Sequence, residues 1–330
     1  MIRAAIGNNT NGDAMQLGQP FLPMEPVGYG EAFDSPEWGF QVKWDGVRIL
    51  AHYQPQKVVL FNRKQRERTA QYPEIIDALS QIVRTQQVIL DGEVVVLVKG
   101  APHFARVLQR DQVTHPKSIH HLQHQLPVHY MVFDLLYLNG RDLSTCSFLQ
   151  RQDWLREIIL PGSLIHPVDT VVEKGIASFK AVIKQDWEGI VAKRLDSPYR
   201  FGEKVDLWRK IKNWKRRPLV VGGYTHEQGR PKALLLGAYW ENELIYVGRA
   251  SVGLSTQHRR LLATQWALNP LIPSPFPKPP VLASEAVQWL PVLLVAVIEF
   301  LEWTEDLKLR HPKAISSVFI VGGACYPNSS

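Results

Sequence analysis

Two cysteines in 330 residues, Cys146 and Cys325, form neither a disulfide framework nor a zinc-ligand set, so a reducing cytoplasm fits the composition. Long hydrophobic runs are missing as well. The most apolar stretch, Trp289 to Ile298, is broken by Pro291. It is too short to cross a bilayer and reads as a buried strand. Met1 to Pro20 is polar and lacks the apolar segment of a secretory signal. No internal repeat is visible. These absences leave a soluble globular chain, 45% hydrophobic and 21% charged, with enough length for two domains.

What is present is concentrated basic charge. The net charge is +7, and the segment Lys193 to Arg217 alone holds ten Lys/Arg against three Asp/Glu. The rest of the chain is therefore about neutral. A basic segment interleaved with Tyr199, Phe201, Trp208 and Trp214 points to a polyanion such as nucleic acid or nucleotide phosphate. A solvated basic face is the bland alternative.

The stretch with most chemistry is Lys43-Trp44-Asp45-Gly46-Val47-Arg48, just after the apolar Phe40 and Val42. Asp45-Gly46 is an ordinary turn dipeptide and alone implies only a strand end. The lysine gives the stretch a second meaning. An amine attacks phosphorus only when neutral, and the ordinary lysine pKa is ~10.4, which nearby cations or burial lower. The product is a phosphoramidate. Such chemistry also needs cations to clamp phosphate and carboxylates to hold a divalent metal.

The remaining chain supplies both. Residues 1–20, rich in Asn, Gly and Gln, are expected to be flexible. Strands are expected at 40–42 and 47–53, with 57–61 completing a hairpin. A basic turn, Asn62 to Arg66, follows. Pro73 then opens a helix carrying Tyr72, Ile75, Ile76, Leu79, Ile82 and Val83 at helical spacing. Val88 to Val98 reads as a strand in which Asp91 and Glu93 share a face, a costly arrangement unless a cation sits opposite. Residues 99–127 read as loop. Their five histidines lack the ligand spacing of a metal site. His129 to Leu138 is a second apolar run, with Phe133-Asp134 in its middle, and ends at Asn139-Gly140. Ser147 with Gln150 forms a capping box for a helix through Ile159, and Ser178 is expected to cap another. Alternation in Leu207 to Lys212 places Lys210 and Lys212 on one strand face. Beyond Pro218 short strands separated by Gly, Asn-Glu and Pro imply a small β-barrel of the oligonucleotide-binding class, with a helix over 255–267.

The order of these elements resembles the covalent nucleotidyltransferases, most closely the ATP-dependent DNA ligases, and among them the ligase domain of bacterial end-joining ligases. The resemblance covers roughly residues 21 to 312. It implies an α+β fold of antiparallel sheets with helices, a nucleotidyltransferase domain over 21–217 and an oligonucleotide-binding domain over 218–330. It implies that Lys43 carries AMP, that Arg48 contacts the sugar, and that Gln41 lies at the adenine. Arg63 matches the next motif's arginine, although Asn62 replaces the usual serine. Glu93 in Asp91-Gly92-Glu93 would lie near ribose and metal, and Phe133 would stack on adenine. Glu188 in Glu188-Gly189-Ile190-Val191-Ala192-Lys193 would help hold the metal, and Lys210 and Lys212 would clamp the AMP phosphate. Asp45, Asp91, Lys193 and Arg310 are further candidates at these motifs.

The implied cofactors are ATP and Mg²⁺ or Mn²⁺. The implied partners are nicked or broken duplex DNA and a DNA end-binding repair protein. A monomer without membrane association is expected, acting in the cytoplasm at the nucleoid. The lysine chemistry is shared with RNA ligases and capping-type guanylyltransferases. One departure favours a third reading. Where the family has a second basic and acidic patch after Arg310-His311-Pro312, this chain reads Lys313 to Phe319 without one. Inefficient ATP loading, or a nucleic-acid-binding protein that has lost loading, would follow.

Overall fold

The computed structural model describes residues 16–320 except 161, 163, 252, 257, 258, 261, 264–271, 283, 284, 292, 293, 305 and 316–318. The chain divides into two compact units, Met1–Asn213 and Trp214–Ser330.

The first unit opens with β1 (Glu25–Tyr29), β2 (Ser35–Val42), β3 (Val47–Gln54), β4 (Lys57–Asn62), α1 (Pro73–Ile82) and β5 (Val88–Val98). It continues with β6 (Ala101–Pro102), α2 (Phe104–Gln112), α3 (Pro116–Gln125), β7 (Val128–Leu138), β8 (Arg141–Asp142) and α4 (Phe148–Ile158). It ends with β9 (Ile165–Pro167), β10 (Val171–Glu173), α5 (Gly175–Lys184), β11 (Gly189–Arg194) and β12 (Lys204–Lys212). Two sheets result. One runs β4-β3-β5-β7-β8, with β6 on β5 and β9 on β7, and the other runs β1-β12-β11-β2-β10. Pairing is antiparallel except for β1 with β12 and β7 with β9.

Alternation along β3 decides what lies on each side of the first sheet. Ile49 and Ala51 join Leu90, Val94, Tyr130 and Val132 in a core closed by Ile75 and Leu79 of α1, Val107 of α2 and Leu155 of α4. Burying each of the larger aliphatic chains contributes about 1.5–3 kcal/mol. Leu50, Ile89 and Leu136 point the other way and pack on Met24, Tyr199 and Trp208. That second layer joins the two sheets, because Trp208 belongs to β12.

Several expectations are corrected. Residues 99–127 are not a loop but carry α2 and α3. The α2 stripe is interrupted by Arg110, whose side chain is fully buried against Glu74 at 2.6 Å, so the apolar period is hidden. Ser178 does not cap α5. The helix begins at Gly175, and the Ser178 hydroxyl donates to the Lys174 carbonyl at 2.8 Å. The Ser147 box does form: Ser147 Oγ accepts from the Gln150 N–H at 3.3 Å, and the Ser147 N–H donates to Gln150 Oε1 at 3.2 Å. Of the expected flexible N-terminus, 1–15 lie outside the described residues. Leu17 packs on the second layer, and the Gly18 N–H donates to His52 Nδ1 at 3.0 Å.

The second unit holds β13 (Lys215–Glu227), β14 (Arg230–Trp240), β15 (Glu243–Ala250), β16 (Ala286–Trp289), β17 (Leu294–Phe300), β18 (Lys313–Ala314) and β19 (Phe319–Ile320). Its sheet runs β15-β14-β13-β17-β18, with β16 on β13 and β19 on β17. Val221, Leu236, Val247, Ala296 and Ile298 fill its core. The Leu309 N–H donates to the Val247 carbonyl at 2.8 Å, tying the far end of the unit to β15. Thr256, Arg259, Arg260, Leu262 and Ala263 are helical, and the rest of the helix expected over 255–267 lies largely outside the described residues. No helix among the described residues is long and apolar enough to cross a membrane.

Candidate active site

Lys43 sits where β2 ends. Its main-chain N–H donates to the Gly189 carbonyl at 2.9 Å, so the lysine stretch is sewn to the start of β11. Trp44 and Trp187 meet across this seam with ring centroids 5.2 Å apart. Both neighbouring glycines are required by close approach. A Cβ on Gly46 would lie 2.2 Å from the Val94 carbonyl oxygen. Gly189 has φ of +145°, and a Cβ there would lie 2.1 Å from the Ile211 carbonyl oxygen.

This seam brings Lys43 Nζ to 2.5 Å from Glu188 Oε2, while Lys212 Nζ lies 3.1 Å from Glu188 Oε1. Burial works against the Glu188 carboxylate, but Lys43 and Lys212 outweigh it and hold its pKa below the ordinary value. Lys210, two residues before Lys212, is pulled down by burial and by Lys212, Lys204 and Lys43. Two lysines therefore converge on one carboxylate with Lys210 close enough to feel both of them, an arrangement that suits an anionic ligand.

Arg48, at the start of β3, is fixed by a bidentate pair to Asp91 at 2.9 and 2.6 Å. It also donates to the Met24 carbonyl at 2.7 Å and to the Tyr199 hydroxyl at 3.1 Å. Its guanidinium lies 5.3 Å from the centre of the Phe133 ring. Glu93 faces Lys43, Arg48, Glu188 and Asp45. Burial pushes its carboxyl up to about 8, against the pull of Lys43 and Arg48, with Glu188 and Asp45 adding repulsion.

Gln41 is buried on β2. Its Nε2 lies 3.1 Å from Gln152 Oε1, 3.3 Å from the Val168 carbonyl and 3.0 Å from Thr170 Oγ1. Its Oε1 is buried without a hydrogen-bond partner among the described residues. Gln152 in turn donates from Nε2 to the Phe133 carbonyl at 3.0 Å.

The structure thus brings Gln41, Lys43, Arg48, Asp91, Glu93, Phe133, Glu188, Lys210 and Lys212 into connected surroundings. Others stand apart. The Arg63 side chain is 61% exposed and lies 3.8 Å from Glu25. Arg310, in the second unit, pairs with Glu302 at 2.8 Å. Lys193 is not part of a solvated basic face. It is buried, with Nζ 3.1 Å from the Phe133 carbonyl and 4.0 Å from the centre of the Trp208 ring. Burial pulls its pKa down to about 7 against Asp134 and Asp91. Nor is Lys193–Arg217 one surface. Arg194 and Arg209 are neutralised by Asp196 and Asp206 at 2.7 and 2.5 Å, and the segment continues across the boundary between units. Gln152, Thr170 and Tyr199 were not legible as site residues. Each lies far from Lys43 in sequence and outside any recognisable motif.

A divalent cation fits this donor set. Among the described residues no group of three His, Cys, Asp or Glu could hold one. Two converging carboxylates, completed by water and phosphate oxygens, are nevertheless the usual magnesium environment. Glu93 is the telling residue, since its buried carboxyl lacks enough positive charge to stay ionised at neutral pH.

Comparison with known proteins agrees with this geometry. Residues 27–212 match the model of the ATP dependent DNA ligase domain, and residues 227–317 match the ATP dependent DNA ligase C terminal region. The chain is 34% identical over 283 residues to the multifunctional non-homologous end joining DNA repair protein LigD of Mycobacterium tuberculosis, covering 83% of this chain and 35% of that one. It spans about a third of that relative's length. The crystal structure of the ligase domain of M. tuberculosis LigD superposes with a TM-score of 0.51 at 30% identity, covering 89% of this chain and 93% of that one. A mycobacterial DNA ligase D complexed with ATP and MES gives 0.52 at 30% identity, with the same coverage. The fold is the expected α+β arrangement followed by an oligonucleotide-binding fold, and the chain belongs to the family of ATP-dependent DNA ligases.

Proposed function

We propose that this chain is an ATP-dependent DNA ligase that seals 5′-phosphate/3′-hydroxyl nicks through a covalent lysyl-AMP at Lys43. The observation that carries the proposal is the convergence of Lys43 and Lys212 on opposite oxygens of Glu188. Lys43 Nζ, having lost a proton, attacks the α-phosphorus of ATP. A P–N bond forms, the bond to the bridging oxygen breaks, and pyrophosphate leaves. The 5′-phosphate of the nick then takes AMP from Lys43, and the 3′-hydroxyl displaces AMP to close the backbone. Each step is an in-line displacement, so positioning and charge neutralisation supply most of the catalysis.

In this reading Lys210 and Lys212 clamp the α-phosphate. Phe133 stacks on adenine, Gln41 meets its edge, and Arg48, held by Asp91, faces the sugar. Glu93 and Glu188 hold Mg²⁺ or Mn²⁺, which supplies charge neutralisation at the phosphates when bound. Asp45 adds negative charge beside Glu93. Arg63, exposed beside Glu25, and Arg310, paired with Glu302, stay candidates by motif position alone. We assign 21–217 to nucleotidyl transfer and 218–330 to gripping duplex DNA. An end-joining role, recruited by a DNA end-binding protein and performed as a monomer, is supported by the likeness to LigD. Both family matches favour DNA sealing over a capping-type guanylyltransferase.

The test is sealing of a labelled, singly nicked duplex with ATP and Mg²⁺, alongside the same duplex already carrying 5′-AMP. Sealing of both supports the proposal. Sealing of the second alone would locate the defect in ATP loading and give the departure after Pro312 a consequence. Sealing of neither would leave the binding-protein reading.

A further inference from the structure

Resting on the ligase reading above, we propose that Gln152, together with Thr170, is the positioning residue that sets base selectivity. It pins the Gln41 amide so that its oxygen is the acceptor offered to the nucleotide base.

The orientation of a glutamine amide is fixed by its neighbours, and here the Phe133 carbonyl sets it by way of Gln152. A carbonyl can only accept. The Phe133 carbonyl, 3.0 Å from the Gln152 amide, must face its nitrogen. Gln152 Oε1 therefore points back into the cluster, where it accepts from Gln41 Nε2 at 3.1 Å and from Thr170 Oγ1 at 3.2 Å. The Val168 carbonyl, at 3.3 Å the longest of the three contacts to the Gln41 nitrogen, only adds to this preference. Thr170 Oγ1 accepts the Gln41 amide at 3.0 Å while donating to Gln152, so its single proton is used. Every member of the network is satisfied except Gln41 Oε1, which is buried without a partner among the described residues.

A buried acceptor left open in an otherwise saturated network is costly unless a ligand completes it. Its place two residues before Lys43, joined through Gln152 to the Phe133 backbone, makes the ligand the base of the bound nucleotide. Adenine offers an exocyclic amine as donor. Guanine presents a carbonyl at the same ring position, and two acceptors would then face each other. A site built to bond a donor rejects the analogue lacking it because the protein group is left unpaired. Gln152 touches no substrate in this scheme. It acts through Gln41, and through the Phe133 carbonyl it fixes the strand carrying the stacking ring by the same side chain.

The experiment is a chemical double-mutant cycle. Covalent labelling rates are measured with α-labelled ATP, purine riboside triphosphate (no exocyclic amine) and GTP, for the wild type, Gln152→Met and Thr170→Val. The wild type should label with ATP about tenfold faster than with purine riboside triphosphate, the value of one buried hydrogen bond. In both variants that ratio should fall toward one, and GTP labelling should rise relative to ATP because the freed amide can turn its nitrogen to the guanine carbonyl. Thr170→Val is nearly isosteric and keeps the test available if Gln152→Met does not fold. Variants that slow equally with all three nucleotides would make the network merely structural and overturn the proposal. So would a wild type indifferent to the amine. Absence of label with any nucleotide in the wild type would instead remove the ATP-loading step of the ligase reading, and the proposal with it.

Discussion

Lys43 and Glu188 stand 145 residues apart in sequence, yet their side chains meet at 2.5 Å, and Lys212 occupies the other oxygen of the same carboxylate. The pair holds Lys43 in place before any nucleotide arrives. Glu188→Gln should leave the fold intact and cut the rate of lysyl-AMP formation by about a hundredfold or more, since both lysines lose their anchor and a cation loses a ligand. Single-turnover labelling with ATP measures it.

Lys210→Ala and Lys212→Ala should damage adenylation by a comparable factor, on the order of 10²–10³. Affinity for nicked duplex should change little, because Lys212 is paired with Glu188 and Lys210 is half-buried beside Lys212 and Lys43. Labelling rates set beside gel-shift affinities check this. Equal loss of both would return these lysines to a general DNA-binding role.

Gly46→Ala is expected to destabilise the first unit by about 2–4 kcal/mol. Its Cβ would collide with the Val94 carbonyl oxygen at 2.2 Å and with Val95 Cγ1 at 2.8 Å, both on a central strand that cannot shift cheaply. Chemical denaturation of the variant gives the number.

His52 supplies a pH signature. Burial lowers its pKa from 6.5 to about 4, so the folded state keeps the ring neutral. The unfolded chain takes a proton below about pH 6.5. Stability is therefore full above that value and declines as pH falls toward 4, by up to ~3 kcal/mol. Melting temperatures across this range should fall in the wild type and fall less in His52→Gln.

Glu93→Gln should weaken divalent-cation binding by about tenfold without preventing folding. Titration with Mn²⁺, followed by the electron paramagnetic resonance of free metal, reads binding directly and needs no turnover. Unchanged affinity would place the cation elsewhere.

Much of the first unit was legible because its signals are local. The apolar alternation around Leu50, Pro73 at a helix start, and the Ser147–Gln150 box each state their structure within a few residues. The same holds for Lys43, whose turn and glycine sit beside it. The misses share a cause. The α2 helix was hidden because the buried Arg110 interrupts its apolar stripe. Its charge is satisfied by Glu74, the Gln71 carbonyl and the Ile119 carbonyl, partners from three different segments. Lys193 counts in the basic segment and as a motif candidate, but nothing near it in sequence announces the rings of Phe133, Phe148 and Trp208 around its ammonium. Gln152, Thr170 and Tyr199 take their link to the site from partners more than a hundred residues away, such as Gln41 and Asp91.

The most direct test of the account is incubation of the protein with α-labelled ATP and Mg²⁺, followed by a denaturing gel and peptide mapping of the labelled band. The account predicts a covalent AMP on Lys43, discharged by pyrophosphate or by nicked duplex and absent from Lys43→Ala. A label that persists in Lys43→Ala, or no label from ATP at all, would contradict it.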